Sequence, residues 1–272
     1  MDANTPYQLF LSLTSGIFIG GIAGYLGTLM LSKKMSVVAG PLAHLALPGV
    51  ALALVFGFSI SLGAFPFVIV GAILIWWLEK KTTLPMENLA AIIFASGVGV
   101  ALLVLPIDKA EEALVGNIMQ ITLPETLATI ALSLAIFFVI ARIYKKMMLI
   151  NIYEDVATTE GINTSRCNLL YLLSIATVVA LGVYLVGGLI TAALVAIPAA
   201  SAKNVSRGMW AYKIWAVAFG IISAIAGIII ARQTHLPTGP MVIISGVAVF
   251  VISIFFRRRF PHKKFSPLPI RK

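Results

Sequence analysis

Charged side chains are scarce in this 272-residue sequence. Only 11% of the residues are Asp, Glu, Lys or Arg, while 60% are hydrophobic. A typical soluble domain carries about 25% charged residues. So few charges cannot cover the surface of a soluble globule. The composition therefore excludes an ordinary cytosolic enzyme, a disordered protein and a nucleic-acid-binding protein, although the net charge is +10.

Residues that build reactive or metal-binding clusters are scarce as well. Cys167 is the single cysteine, which excludes an internal disulfide framework and a cysteine-cluster metal site. The three histidines, His44, His235 and His262, are too few for a multi-histidine site. The phosphate-loop pattern GxxxxGK followed by Ser or Thr is missing, and so are HExxH and GxSxG. We therefore expect a protein that is not itself an enzyme and that holds no permanently bound cofactor.

Long charge-free runs fill the sequence instead. A helix needs about 20 apolar residues to cross a bilayer. The runs at 35–78 and 167–202 are 44 and 36 residues long, so each has room for two crossings. Single crossings fit the runs at 3–32, 88–107, 126–141, 214–231 and 233–256. The sequence thus predicts an all-α integral membrane protein with about eight to nine transmembrane helices, and 113–124 is a short extra apolar stretch that we interpret as re-entrant.

The basic residues follow the positive-inside pattern. With the crossings counted in this way, all but Lys109 and Arg232 of the 20 basic residues fall on one side. This excess marks the cytoplasmic side, so membrane orientation rather than nucleic acid accounts for the positive charge. We predict a multi-pass protein with its N-terminus outside and its C-terminus in the cytoplasm. Residues 1–256 form a single transmembrane domain, and 257–272 form a basic cytoplasmic tail near anionic membrane lipid.

Glycine and proline interrupt the apolar runs. Inside membrane spans these residues mark bends, half-helices or close helix packing. The predicted breaks are Pro41, Pro48, Gly49, Gly187, Gly188, Pro198, Pro237, Gly239 and Pro240. In the first span, Gly20 and Gly24 form a GxxxG pair, which predicts plain close packing against another helix.

His44 is the strongest candidate for a functional residue. It lies about ten residues into a predicted span, and an ionisable group inside a membrane usually faces the protein interior or a water-filled path. A neutral imidazole is also a common transition-metal ligand. The alternative is a structural histidine bonded to the carbonyl that Pro48 frees. His235 precedes the last span, where it is either part of a path or an ordinary surface histidine.

The polar segment 150–166 lies between spans on the predicted cytoplasmic side. It is longer than a connection needs to be. A short amphipathic helix here would present a surface for a soluble partner, although a plain loop remains the alternative. With broken helices, a buried histidine and no visible enzyme motif, transport is the function that remains.

The motifs taken together resemble the permease subunits of zinc, manganese and iron ABC importers. The resemblance covers roughly residues 10–256. It rests on these segments in this order: SKKMSVVAGPLAHLALPGVALAL (32–54), WWLEKK (76–81), LVGNIMQIT (114–122), YEDVATTEGIN (153–163), YLVGGLITAALVAIPAASAK (184–203) and HLPTGPMVIISG (235–246).

This resemblance implies a type-II-like ABC importer permease in a prokaryotic cell (inner) membrane. The permease would form a homodimer, pair with cytoplasmic ABC ATPase subunits and receive a divalent metal ion from an extracytoplasmic binding protein. His44 and His235 would lie on the metal path. A cytoplasmic coupling segment, 150–166, would contact the ATPase through Glu154, Asp155, Glu160 and Gly161.

The chain departs from the family pattern at three positions. Much of the family has aspartate where this chain has Pro41, and often aspartate where it has His235; some zinc permeases have histidine where it has Ala95. Because imidazole favours zinc over the oxygen-preferring manganese, zinc is the expected ion, with manganese or iron as alternatives. The competing functions are an ion-coupled secondary transporter, an ABC permease for a non-metal solute and a membrane scaffold.

Overall fold

Apolar runs form helices throughout the part of the chain that the structure describes. The structure, a computed structural model, describes residues 6–32, 39–57, 60–104, 118, 121–187 and 191–256. Over these ranges the chain is helical and contains no strand. The helices are α1 (Pro6–Ser32), α2 (Ala39–His44), α3 (Leu47–Phe56), α4 (Ile60–Lys81), α5 (Met86–Val104), α6 (Leu123–Ile152), α7 (Glu154–Thr159), α8 (Thr164–Val186), α9 (Thr191–Val205), α10 (Met209–Thr234) and α11 (Thr238–Phe255).

Six helical stretches in these ranges are long and apolar enough to cross a membrane. They are Pro6–Ser32, Leu62–Lys81, Leu123–Ile152, Thr164–Val183, Met209–Thr234 and Thr238–Phe255. Two shorter apolar stretches, Pro41–Val50 and Met86–Val100, fall below a full span. An all-helical membrane protein is therefore confirmed, while the number of eight to nine crossings stays a prediction.

The helix ends follow from local chemistry. At the start of α6, the backbone N–H of Thr122 donates to the Glu125 carboxylate at 2.9 Å, which satisfies a donor that the helix leaves free. The Asn163 side chain accepts from the backbone N–H of Arg166 at 3.0 Å and caps α8. At the other end of a helix, α3 stops at Gly57, whose left-handed φ of 73° costs glycine no steric strain.

Helix α1 lies at the centre of the described fold. It packs against α10, α9, α6 and α8, and most of its second half is buried. A Cβ added at Gly20 would lie 2.5 Å from the carbonyl oxygen of Gly220, and one added at Gly24 would collide with the carbonyl of Ala216. The GxxxG pair thus lets α1 and α10 touch backbone to backbone, as the sequence predicts.

A second group of helices surrounds α2 and α3. The short helix α2 packs against α5, α8, α9 and α4, and α3 packs mainly against α4. The closest point of the α3–α4 contact is a glycine pair, because a Cβ added at Gly49 would collide with the carbonyl of Gly63. Helix α4 also packs along α8. The predicted histidine therefore sits at a junction of several helices.

Some of the predicted breaks coincide with helix ends. The chain turns between α2 and α3, and Pro48 stands in the first turn of α3, where its missing N–H costs nothing. Gly187 ends α8 with a φ of 86°. Pro237 caps the start of α11, and Gly239 and Pro240 lie in its first turn.

Other predicted breaks lie inside helices, where the structure differs from the expectation. Helix α9 continues through Pro198, which is buried there; membrane helices tolerate an internal proline because neighbouring groups can satisfy the freed carbonyl. Pro41 lies within α2. Gly49 lies within α3, where it allows close packing and does not end the helix.

Several predicted features fall on parts of the chain outside the described residues. Gly188 and the basic tail 257–272 are among them. The stretch 113–124, interpreted as re-entrant, is described only at Ile118 and from Ile121 onward, and both of these isoleucines are buried.

Candidate functional site

The turn between α2 and α3 places His44 at a break in the helical hydrogen bonding. Pro48 has no N–H to donate to the carbonyl of His44. The backbone N–H of Ala46 instead donates to the carbonyl of Ala43 at 3.2 Å, and regular bonding resumes where Val50 donates to Ala46 at 2.9 Å. His44 is the last residue of α2. A proline four residues downstream thus explains why the histidine stands at a helix end inside an apolar run.

The His44 ring is half-buried and lies against an aromatic ring of α5. Its centroid is 5.1 Å from that of Phe94, with an angle of 44° between the planes. In the described ranges the imidazole has no hydrogen-bond partner. The structure therefore shows no bond to the freed carbonyl, and the ring nitrogens stay available to a ligand.

Leu45 fixes the turn by filling the space above two glycines. A Cβ added at Gly97 of α5 would lie 2.7 Å from Leu45 Cδ2, and one added at Gly71 of α4 would collide with Leu45 Cδ1. Leu45 is buried. Since His44 is its neighbour in the chain, the contact holds the histidine in place. This contact was not predicted from the sequence, although the glycines of α4 and α5 could have indicated it.

The protein groups around His44 do not form a complete metal site in one chain. In the described part of the chain, three or more His, Cys, Asp or Glu residues do not cluster anywhere that could hold a metal ion. Pro41, three residues before His44, is half-buried and offers no side-chain ligand; Ala95, beside Phe94, is exposed. The described residues around His44 therefore supply an incomplete ligand shell.

His235 lies in a different environment. It caps the C-terminal end of α10 with a left-handed φ of 55° and is exposed. A left-handed conformation is uncommon for a residue with a Cβ. The backbone is therefore unusual at His235, the first residue of the HLPTGP segment. Among the described residues, the ring contact of His44 is with Phe94, and none joins it to His235. A shared role of the two histidines on a metal path stays a prediction.

The predicted coupling segment folds as a short exposed helix. Glu154 and Asp155 occupy the first turn of α7, where their charges suit the positive helix end, and both are exposed. Glu160 follows the helix, and Gly161 then adopts a φ of 75°. The buried Ala157 fixes the inner side of α7. The four predicted residues thus share one acidic, solvent-facing turn.

This acidic turn is joined to the helices around His44 through the start of α8. The Trp76 ring N–H of α4 donates to the carbonyl of Ser165 at 3.0 Å. The Asn168 amide donates to the Glu79 carboxylate at 3.5 Å. Helix α4 also contacts α3 at the glycine pair. A continuous set of packed elements, α7–α8–α4–α3, therefore runs from the exposed acidic turn to the half-buried histidine.

Comparison with known proteins shows which family and which relatives the chain is similar to. Residues 7–257 match the family model described as "ABC 3 transport family". The zinc uptake system membrane protein ZnuB of Haemophilus influenzae is 27% identical over 92% of this chain and 98% of its own length. The manganese import system permease protein ScaB of Streptococcus parasanguinis is 23% identical over 90% and 89%.

A solved structure has the same fold. A chain of PsaBC from Streptococcus pneumoniae, determined in complex with Fab, superposes with a TM-score of 0.75. It is 24% identical, and the match covers 92% of this chain and 91% of that one. At this level of identity the likeness establishes the fold.

Proposed function

Because the chain belongs to the ABC 3 transport family, we propose that it is the permease of an ATP-driven importer for a divalent transition metal. Membership of this family makes the chain a multi-pass membrane subunit of an ABC transporter, a transport role that fits the expectation that it is not itself an enzyme. Zinc is the favoured ion, and manganese or iron are the alternatives. An extracytoplasmic binding protein would deliver the ion, and a partner ATPase would drive its passage.

One observation carries the proposal. The His44 imidazole is half-buried at a helix break and has no hydrogen-bond partner in the described residues. A neutral imidazole is a common ligand for transition metals, and an ionisable side chain inside a membrane span usually faces the protein interior or a water-filled path. A ring nitrogen that makes no bond to the described residues could coordinate a passing metal ion.

A homodimer would complete the ligand set. Among the described residues of this region, one chain offers His44, because the nearby Pro41 and Ala95 have no side chain that can coordinate an ion. Two-fold symmetry duplicates every surface group, so a path between two protomers would hold two imidazoles. Nitrogen ligands favour zinc over manganese, which prefers oxygen. The relatives named for zinc and for manganese leave both ions within the range of this proposal.

His235 would serve at the entrance and not at the same ligand shell. Its exposed position at the end of α10 suits the first contact with an arriving ion or with the binding protein. The acidic residues of α7 would dock the ATPase. Movement there would reach the His44 turn through the packed helices α8 and α4.

The proposal keeps the predicted membrane arrangement. Residues 1–256 form one permease domain with eight to nine crossings, the N-terminus lies outside, and the basic tail 257–272 lies in the cytoplasm. The positive-inside distribution of the 20 basic residues supports this orientation. An ion-coupled secondary transporter is not favoured, since the family is one of ABC transporters.

Metal accumulation in cells tests the proposal. Cells lacking the chain, cells complemented with it and cells with His44→Ala are grown under metal limitation, and all transition metals are measured together by elemental mass spectrometry. We expect restored uptake of one metal and its loss in His44→Ala. The matched control is His262→Ala in the tail outside the family match, for which we expect uptake to be unchanged.

Two results would contradict parts of this proposal. Full uptake by a correctly inserted His44→Ala variant would remove His44 from the path. If wild-type complementation changes no metal at all, the chain is an ABC permease for a non-metal solute, and the replacement of the family aspartate by Pro41 becomes the reason for a changed substrate.

A further inference from the structure

A groove opens between α10 and α11 on a surface far from the His44 turn in sequence. Its cavity volume is about 560 Å³, within the range of about 300–1,000 Å³ typical of small-molecule sites. The lining residues that matter are Arg207, Trp215, Phe219, Ile252, Ser253 and Phe256.

The groove is amphipathic along its length. Trp215, Phe219, Ile252 and Phe256 make its walls apolar, while Arg207 stands exposed where α9 leads into α10. The polar lining atom of Ser253 is already used: its hydroxyl accepts from the Asn204 amide at 2.9 Å and donates to the Phe250 carbonyl at 2.6 Å. Among the described lining residues, a ligand would therefore meet the positive charge of Arg207 at one end and hydrocarbon surface elsewhere.

The position of the groove fits the edge of a bilayer. Trp210 and Trp215 are exposed in the first two turns of α10, and tryptophan is enriched at membrane–water interfaces. Lys203 is exposed near the end of α9, four residues before Arg207. Both cations belong to the set that the positive-inside pattern assigns to the cytoplasm, where the leaflet carries anionic lipids.

We propose that this groove binds an anionic phospholipid of the cytoplasmic leaflet. The phosphate group contacts Arg207, whose guanidinium suits phosphate oxygens, and an acyl chain lies against Trp215, Phe219 and Ile252. The lipid thereby covers apolar surface between two helices that otherwise meet solvent or bulk lipid. This site is separate from the proposed metal path.

Charge favours a lipid over a second copy of the chain as the occupant. Two-fold pairing through the groove would bring the same cationic groups from both protomers together. The described residues that line the groove include no carboxylate to neutralise them. A lipid phosphate supplies the missing negative charge.

Lipid retention by the purified full chain tests the inference. The chain is reconstituted into nanodiscs of phosphatidylglycerol or of phosphatidylcholine with identical acyl chains, extracted into mild detergent and analysed by native mass spectrometry. We expect the wild type to retain phosphatidylglycerol preferentially. Arg207→Gln should reduce that retention about fivefold, or about 1 kcal/mol, the value of one basic residue at an anionic surface. Retention of phosphatidylcholine should stay the same.

Two further variants distinguish the contribution of the headgroup to lipid retention from that of the acyl chain. Arg142→Gln removes another exposed cation that does not line the groove. It shares the general attraction to an anionic leaflet but makes no contact with the bound phosphate, so we expect a smaller loss than in Arg207→Gln. Ile252→Trp narrows the groove from an exposed position, and we expect it to lower the retention of both lipids.

Three results would overturn the inference. These are equal retention of the two lipids by the wild type, equal losses in Arg207→Gln and Arg142→Gln, and a change in oligomeric state in Ile252→Trp with unchanged lipid retention. The last result would assign the groove to a second copy. Because retention is measured without transport, its outcome is independent of the metal-uptake experiment.

Discussion

Replacing Gly49 by alanine adds a methyl group where α3 and α4 touch backbone to backbone. The new Cβ would collide with the carbonyl oxygen of Gly63 and lie 2.8 Å from Phe67 Cδ2. Attractive contacts between carbon atoms are optimal at about 3.5–4.0 Å. A flexible side chain can move aside, but a helix carbonyl cannot, so the two helices must separate.

The cost of this separation can be bounded. An added methylene in a well-packed interior costs about 1–3 kcal/mol. The contact is reciprocal, since a Cβ on Gly63 would equally meet the Gly49 carbonyl. Backbone lies close to backbone on both sides of the pair, so a small shift of one helix does not remove the clash. We expect Gly49→Ala to lose about 2–3 kcal/mol. For chains of 150–250 residues, 1 kcal/mol lowers Tm by about 2–4 °C, so Tm should fall by about 4–12 °C.

Thermal unfolding in detergent, followed by fluorescence-detected size exclusion, measures this loss. Gly99→Ala in α5 is the matched control, because a Cβ added there meets no atom within 4 Å. Alanine is also the better helix former by about 1 kcal/mol, so the control should match or exceed the wild-type Tm.

The same variant should affect function. Gly49 lies five residues after His44, and displacement of α3 would shift the turn that holds the histidine. We expect Gly49→Ala to lower metal uptake even at a temperature where the variant is fully folded. A Tm of Gly49→Ala equal to that of Gly99→Ala would refute the argument from the glycine pair.

Two other predictions concern the metal and the coupling turn. Pro41→Asp places a carboxylate three residues before His44 on the same helix face. Elemental mass spectrometry should show manganese accumulation rising relative to zinc, by about tenfold if the new ligand adds about 1.4 kcal/mol of preference; Pro41→Ala is the control, and equal ratios in both variants would contradict the assignment. Gly161→Ala forces alanine into a left-handed conformation with φ 75°, at a cost of about 1–2 kcal/mol. It should weaken stimulation of the partner ATPase in liposomes. Gly208→Ala, in extended backbone with open space around it, should not. Similar stimulation by both variants would show that the turn at Gly161 takes no part in coupling to the ATPase.

The membrane-protein character was predictable from composition. Charge-free runs of 20 or more residues allow few structures besides membrane helices, because a backbone in hydrocarbon must satisfy its own hydrogen bonds. The candidate histidine was predictable for a related reason: an ionisable residue is costly in such a run, so His44 stands out in sequence. The resemblance of ordered motifs then led to the family that the comparison confirms.

Helix breaks were less predictable because proline and glycine have several uses. Pro48 and Pro198 look alike in sequence, yet Pro48 opens a helix and Pro198 lies inside one. The local pattern does not separate the two cases, because proline fits the first turn of a helix and is also tolerated inside membrane helices. Gly49 shows the same ambiguity, because a glycine that permits close packing and one that ends a helix obey the same local rule.

The sequence by itself determined the class of protein, the apolar helices and the residues suited to chemistry, since these depend on composition and local spacing. Only the tertiary structure decided which distant residues meet. The contact of His44 with Phe94, the seating of Leu45 over Gly71 and Gly97, and the groove beside Arg207 each join residues far apart in the chain. Such contacts depend on how helices pack, and helix packing is set by the whole set of side-chain shapes rather than by any local pattern.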